Sequence, residues 1–278
     1  MKRISVLLYA WWMASLALLP AQESGVPLPV NHATLLGIGK SFLSDSYLSP
    51  LTYDGISFLL MHERIHATPY CNNQLLLQEA FFIETAVTKN PTSSAKEYYG
   101  NLHCSVNGLY PFLRAKKLRL LAGAGWNAAL GGIYNIRNSN NPGSLKLSTN
   151  LNLAAMAVYN WRICTFRWQL STPVVGVFFS PEYGQSYYEI GLVKNGSGTI
   201  HLGSLHNQRR VHNYVTVDVA LKNNTLRFGY RSDLYNTKVN GLITSIVSHH
   251  FVVGVAFESL HFGGREYRKN PTFESPMY

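Results

Sequence analysis

The chain has 278 residues, of which only 14% are Asp, Glu, Lys or Arg, and it carries 35 aromatic residues (17 Tyr, 13 Phe, 5 Trp). Soluble domains carry about 25% charged residues, so a conventionally ionic surface is excluded and contact with lipid is indicated. The formal charge of +10 is scattered through alternating segments rather than gathered on one basic stripe with aromatic platforms, which argues against nucleic acid as a partner.

Met1-Lys2-Arg3 sets two cations ahead of an apolar run from Ile4 to Leu19 that ends at Pro20-Ala21-Gln22. This is the layout of a secretory signal, here residues 1–21 with cleavage after Ala21, and no Cys follows the cut to take a lipid. An uncleaved anchor is the alternative, although the run is slightly short of the roughly 20 residues a helical span needs. Without Lys2 and Arg3, 22 basic residues face 14 acidic ones, a net +8. That balance attracts phosphorylated lipid head groups or other anions.

Beyond the signal, the densest apolar run, Phe251 to Phe257, has seven residues and contains Gly254, far short of a membrane helix. A membrane crossing must then use strands, and a closed barrel is the sheet that satisfies its own backbone in lipid. Alternation predicts strands near 33–43, 55–66, 73–88, 97–109, 117–128, 144–160, 164–178, 185–194, 209–221, 225–234, 239–248 and 251–262. The clearest runs from Leu145 to Trp161, with Leu, Thr, Ala, Tyr and Trp at odd positions and Lys, Ser, Asn, Ala, Met and Val at even ones. Sandwich strands last about 5 or 6 residues, so this length favours a barrel.

Val211, Val215, Val217, Val219 and Leu221 oppose His212, Tyr214, Thr216 and Asp218. Leu226, Phe228, Tyr230 and Leu234 then oppose Arg227, Arg231 and Asp233, and Lys222-Asn223-Asn224 makes the turn of a hairpin. His249-His250 is taken as a turn between the last two strands, and 138–143 as a surface loop. Phe166, Trp168 and Leu170 alternate with Thr165, Arg167 and Gln169, and Trp126, Tyr159, Trp161 and Trp168 are expected in an interfacial girdle. The expected fold is all-β: one antiparallel transmembrane β-barrel of about twelve strands over 22–262, with a solvated tail at 263–278. A soluble two-layered β-sandwich is the competing architecture.

Inside such a barrel, Glu84, Arg167, Glu189, Asp218, Arg227, Arg231 and Asp233 are expected to converge. Buried charges need partners, so the first expectation is a polar plug of ion pairs and waters. The second is a narrow pore or a site for small polar solutes.

The stretch Ser44-Asp45-Ser46-Tyr47-Leu48-Ser49-Pro50-Leu51-Thr52-Tyr53-Asp54-Gly55 resembles the Asp-x-Tyr-Leu-Ser-Pro-Leu-x-Tyr-x-Gly signature of the domain of unknown function 3316 family, secreted proteins of Gram-negative bacteria. Ser46 stands where Thr is expected. Weaker echoes occur at Leu205-His206-Asn207 and from Leu226 to Ser232. The resemblance implies an envelope-protein architecture; the family name brings no assigned activity with it. Physically, Pro50 fixes its own dihedral and extends Ser49, while Gly55 permits close backbone approach. Asp45, Tyr47, Ser49, Pro50, Tyr53 and Gly55 thus form a shaped hairpin connection. A lumen-facing binding site through Asp45, Tyr47 and Tyr53 is the alternative.

For chemistry, Ser245, Ser248, His249, His250, Glu258 and His261 supply the ingredients of a Ser-His-acid set, yet no nucleophile motif surrounds either Ser. A lipid-modifying hydrolase is therefore the runner-up to a non-enzymatic envelope protein. His201, His206 and His212 are too loosely spaced to hold a metal, and His62 and His66 beside Arg64 mark a wet strand end. Cys71, Cys104 and Cys164 give neither a zinc signature nor a disulfide framework. The expectation is an outer-membrane protein with no cofactor and no metal. Its partners would be outer-membrane lipid and small polar solutes or anionic lipid head groups, and no nucleic acid.

Overall fold

The computed structural model describes residues 30–191, 198–221 and 224–259. The expected signal and the 263–278 tail lie outside the described residues. Eleven strands form a single sheet: β1 (Val30–Asp45), β2 (Tyr53–Ala67), β3 (Leu76–Lys89), β4 (Lys96–Arg114), β5 (Leu118–Asn135), β6 (Gly143–Trp161), β7 (Cys164–Phe179), β8 (Ile200–Ser204), β9 (Gln208–Ala220), β10 (Thr225–Val239) and β11 (Leu242–Ser259). A short helix, α1 (Tyr187–Gly191), lies between β7 and β8.

Each neighbouring pair is antiparallel, β1 pairs with β11, and β6 pairs with β7, so the sheet closes on itself as a barrel. Strand β8 pairs with the far end of β7 (Val175–Phe179) and β9 with its near part (Cys164–Ser171). They share one place in the wall, which therefore has ten staves. One closed sheet also disposes of the two-layered sandwich.

The expected count of twelve is corrected at two points. The 185–194 segment is not a strand; its described part holds α1. His249-His250 is not a turn: alternation runs through it, with His249 facing out and His250 in, and β11 continues unbroken to Ser259. The turn is Asn240-Gly241, both at positive φ (53° and 71°), where Val239 pairs with Leu242. Asn-Gly supplies the left-handed pair that a tight hairpin requires.

Stepping from Leu36 through Leu60, Ile83, Leu102 and Leu130 reaches Leu147 on β6. Going the other way, through Val253, Phe228, Val217 and Phe166, reaches Tyr159, twelve residues further along the same strand. Ten staves with that stagger tilt by roughly 40°. Two irregularities adjust the wall, at Pro111 in β4 and around Pro173 in β7. A residue without N–H is tolerated where the ladder is already broken.

Polarity is inverted relative to a soluble protein. Leu36, Ile38, Phe58, Leu130, Leu151, Leu153, Phe251 and Val253 face outward and are exposed, while Arg167, Arg227, Glu63 and His250 face inward and are buried. On β3 the outward side chains between Glu79 and Lys89 are Phe81, Ile83, Thr85 and Val87. Ten residues at 3.3 Å each on a strand tilted by 40° give a charge-free band about 25 Å tall. Trp161 and Trp168 sit near the β6–β7 turn, but Trp126 lies eight residues into β5, a correction to its place in the girdle. Its indole Nε1–H donates to Thr149 Oγ1 at 2.7 Å, which satisfies on the apolar wall a donor that lipid cannot.

Candidate functional site: a closed polar lumen

Inward positions alternate with outward ones on every stave, so side chains far apart in sequence meet across the lumen. In the lower half, Glu63 on β2 is the hub. Its carboxylate accepts from Arg167 Nη1 and Nη2 (3.0 and 2.8 Å), from Arg227 Nη1 (2.7 Å) and from Gln78 Nε2 (2.6 Å). Arg227 also donates twice to Asp218, through Nε and Nη2, both at 2.7 Å. The side chains of Arg167 and Arg227 are 0% exposed and that of Glu63 is 1%, so two full positive and two negative charges neutralise one another in a dry interior.

From Gln78 an amide chain continues across the barrel. Gln78 and Gln169 exchange amide hydrogen bonds, Asn107 donates to Gln78, Asn152 to Asn107, Asn127 to Asn152, and Asn150 to Asn127. Each amide except the terminal Asn150, whose Oδ1 has no hydrogen-bond partner, both donates and accepts, so the run fills space without adding charge.

The upper half repeats the scheme around Asp233 on β10. Arg210 donates to it through Nε and Nη2 (3.0 and 2.7 Å), and His212 Nδ1 and Arg231 Nη2 lie at 3.3 and 3.4 Å. The Arg231 guanidinium rests 4.0 Å above the Phe82 ring, on which His103 also stacks. Glu84 accepts from Ser41 and Ser248. Between and beyond these networks sit three apolar clusters, among them Leu35, Met61 and Phe82 at mid-height and Ile65, Leu109 and Met156 below. Two interior spaces are small: about 20 Å³ beside Glu84, Arg210 and Asp233 and about 50 Å³ beside Gln78, His103 and Arg231. At roughly 10–15 Å³ per water they have room for about one or two and about three to five waters.

Six of the seven residues expected in the lumen, Glu84, Arg167, Asp218, Arg227, Arg231 and Asp233, are buried there. Glu189 is corrected: it is exposed on α1, where its carboxylate accepts the Ser186 N–H and its own N–H donates to Ser186 Oγ. That reciprocal pair is a capping box that starts the helix. Sequence reasoning missed Glu63 and Arg210. Glu63 shares its face with Leu59, Met61 and Ile65, so the polar face of β2 looked apolar and its neighbour Arg64 drew attention instead.

The motif residues close the upper end. Asp45 ends β1 facing in, pairs with Lys146 at 2.7 Å, and accepts from Thr244 and from the Tyr47 N–H. Its carbonyl takes the N–H groups of Leu48 and Ser49. Ser49 Oγ accepts from Leu51 N–H, and Pro50 is exposed at the tip. Tyr47 donates to the Gln185 carbonyl, and burial, then Tyr187, Asp45 and Glu189, pushes its hydroxyl up to about 12. Burial likewise raises Tyr187. Tyr53 accepts from Asn135, which also donates to Glu97. A Cβ on Gly55 would lie 2.1 Å from the Val87 carbonyl oxygen, so only glycine lets β2 and β3 approach there. Tyr47, Leu48 and Tyr53 pack with Tyr99, Leu242 and Ile246 into a lid over the lumen.

Among the described residues the hydrolase set is not assembled. Ser245 and His249 face outward and Ser248 and His250 inward; Ser248 donates to Glu84, while His249 pairs with the Tyr230 hydroxyl. The contact of Ser204 with His206 is local to a turn. His261 lies outside the described residues. Cys71, Cys104 and Cys164 are free thiols, and no group of His, Cys, Asp or Glu among the described residues is arranged to hold a metal.

The profile of a family described as "Protein of unknown function (DUF3316)" matches residues 5–266. No curated protein matches the sequence. Among solved structures, the outer membrane protease OmpT from Escherichia coli is similar at 10% identity, covering 86% of this chain and 99% of that one, with a TM-score of 0.49. The translocator domain of the autotransporter NalP from Neisseria meningitidis is similar at 9% identity, covering 91% and 97%, with a TM-score of 0.41. Neisserial surface protein A shares 14% identity over 82% and 96% of the two chains, at a TM-score of 0.34. The closed barrel described above rests on its own strand register.

Proposed function

The chain belongs to the protein family of unknown function DUF3316, and we propose that it is an exported outer-membrane barrel, sealed by its own side chains, with a structural or binding role. The observation that carries this reading is the inverted polarity: paired charges inside and a band about 25 Å tall of apolar side chains outside. Leu, Ile and Phe on that wall have no protein layer among the described residues to cover them, and hydrocarbon is the medium in which they cost nothing. Both Val30 and Ser259 lie at the end with the shorter turns, while the 20-residue connection from 180 to 199 lies at the other. Short turns facing the periplasm and longer loops outside fit an outer-membrane orientation. Export by the 1–21 signal is part of this proposal, with Gln22 as the mature first residue.

A solute pore is the weaker reading, because paired charges and a hydrogen-bonded amide chain cross the lumen and the spaces beside them are only about 20 and 50 Å³. The protein's ligands are then outer-membrane lipid and whatever the loop end recognises. In planar bilayers the full chain is expected to insert without discrete conductance steps. Well-resolved steps would overturn the sealed lumen, and solubility after removal of detergent would overturn membrane residence.

A further inference from the structure

We infer that the outer wall at the loop end of β3, β4 and β5 binds one phosphorylated lipid of the outer leaflet, its phosphate on Lys89, Lys96 and Arg137 and a chain in the groove below. This rests on the membrane reading above and deepens it by locating the head-group site.

Lys89 and Lys96 close the β3–β4 hairpin directly opposite each other in register, and both are exposed. Like charges facing across a pair repel, and among the described residues neither has a carboxylate partner. The acid beside them in register, Asp54, is engaged by Lys40. Arg137 adds a third cation one strand along, anchored by a hydrogen bond to Ser94. Three cations at the upper limit of the apolar band stand where lipid phosphates lie, and each near the surface adds about fivefold to binding of an anionic lipid.

Immediately below, the wall is notched. Outward Gly100 pairs with Gly132, between Tyr98 and Tyr134 above and Leu102 and Leu130 below. The groove continues past Gly143 and Leu145 to Tyr187, with a volume of about 500 Å³. A Cβ on Gly100 would meet nothing within 4 Å, so the protein's own packing does not demand glycine there. Tyrosines at the rim, an apolar trough beneath and exposed cations overhead are complementary to a phosphate-bearing head group with its acyl chain.

The test uses full-length detergent-solubilised protein titrated with monophosphoryl lipid A and read by native mass spectrometry. One retained lipid per protein is expected. Lys89→Gln with Lys96→Gln should weaken it roughly thirtyfold, and Gly100→Leu should weaken it without changing charge. Lys116→Gln with Lys117→Gln, at the opposite end, should leave it unchanged. Equal loss from both lysine pairs would mean general surface charge and overturn the site. So would undiminished binding in all variants, or a dimer that Gly100→Leu dissociates, since the groove would then belong to a second copy. Flotation with phosphatidylcholine vesicles separates the two readings: a protein that floats yet retains no lipid A refutes the site alone, whereas one that never floats refutes membrane residence and the site with it.

Discussion

Replacing Glu63 by Gln keeps the shape of the hub and removes its charge. The carboxylate receives four hydrogen bonds, three from guanidinium groups. Arg227 retains both bonds to Asp218, whereas Arg167 loses the carboxylate that takes two of its N–H groups and keeps its contact with the Tyr214 ring at 4.8 Å. An arginine with no exposed side chain then carries an uncompensated charge, and breaking a buried pair in this way costs about 3–5 kcal/mol. Urea unfolding of the barrel in phospholipid vesicles, followed by tryptophan emission, reads that loss. Combining Glu63→Gln with Arg167→Met removes both partners and should recover most of it, a coupling that the double-mutant cycle isolates. A loss below about 1 kcal/mol for Glu63→Gln, the range of solvent-exposed pairs, would falsify the dry network and mean that water reaches Arg167.

Other expectations are simpler to read. Gly55→Val drives a side chain into the Val87 carbonyl and Thr88 and should cost at least about 1–3 kcal/mol, seen as a lower yield of heat-resistant barrel on unheated gels. Gly241→Val puts a β-branched residue at φ 71°, costs about 1–2 kcal/mol, and should slow closure of the β10–β11 hairpin in refolding kinetics. Tyr47 holds its proton more tightly folded than unfolded, so its contribution is complete below pH 10 and is lost as pH rises towards 12. Ultraviolet titration should lose the amplitude of one tyrosine near pH 12 in Tyr47→Phe relative to the parent; an unchanged amplitude there, with the loss at pH 10 instead, would mean an open lid.

Much of the fold was legible because side-chain period two survives in long strands. The run from Leu145 to Trp161 and the hairpin of β9 and β10 needed nothing beyond alternation and a polar turn. The errors came where a local signal was misread. Asn240-Gly241 makes the hairpin turn, yet the same Asn-Gly pair at 107–108 lies inside β4, so the dipeptide alone does not tell a turn from a strand; His249-His250 resembles a turn by polarity although both residues keep the alternation. Together these signals divide β11 in the sequence where the structure keeps it whole. Glu189 fell out of the lumen because a Ser186-x-x-Glu189 cap competes with strand pairing, and a five-residue helix won.

By itself, then, the sequence determined which side of each stave is apolar, because alternation assigns a face to every residue of a strand. It could not assign partners. Glu63 meets Arg167 at a separation of 104 residues and Arg227 at 164, and which inward residues share a level depends on the number of staves and the twelve-residue stagger. Barrel closure fixes both quantities, and no local pattern encodes either. The same closure gathers the charged side chains into ion-paired networks inside the lumen.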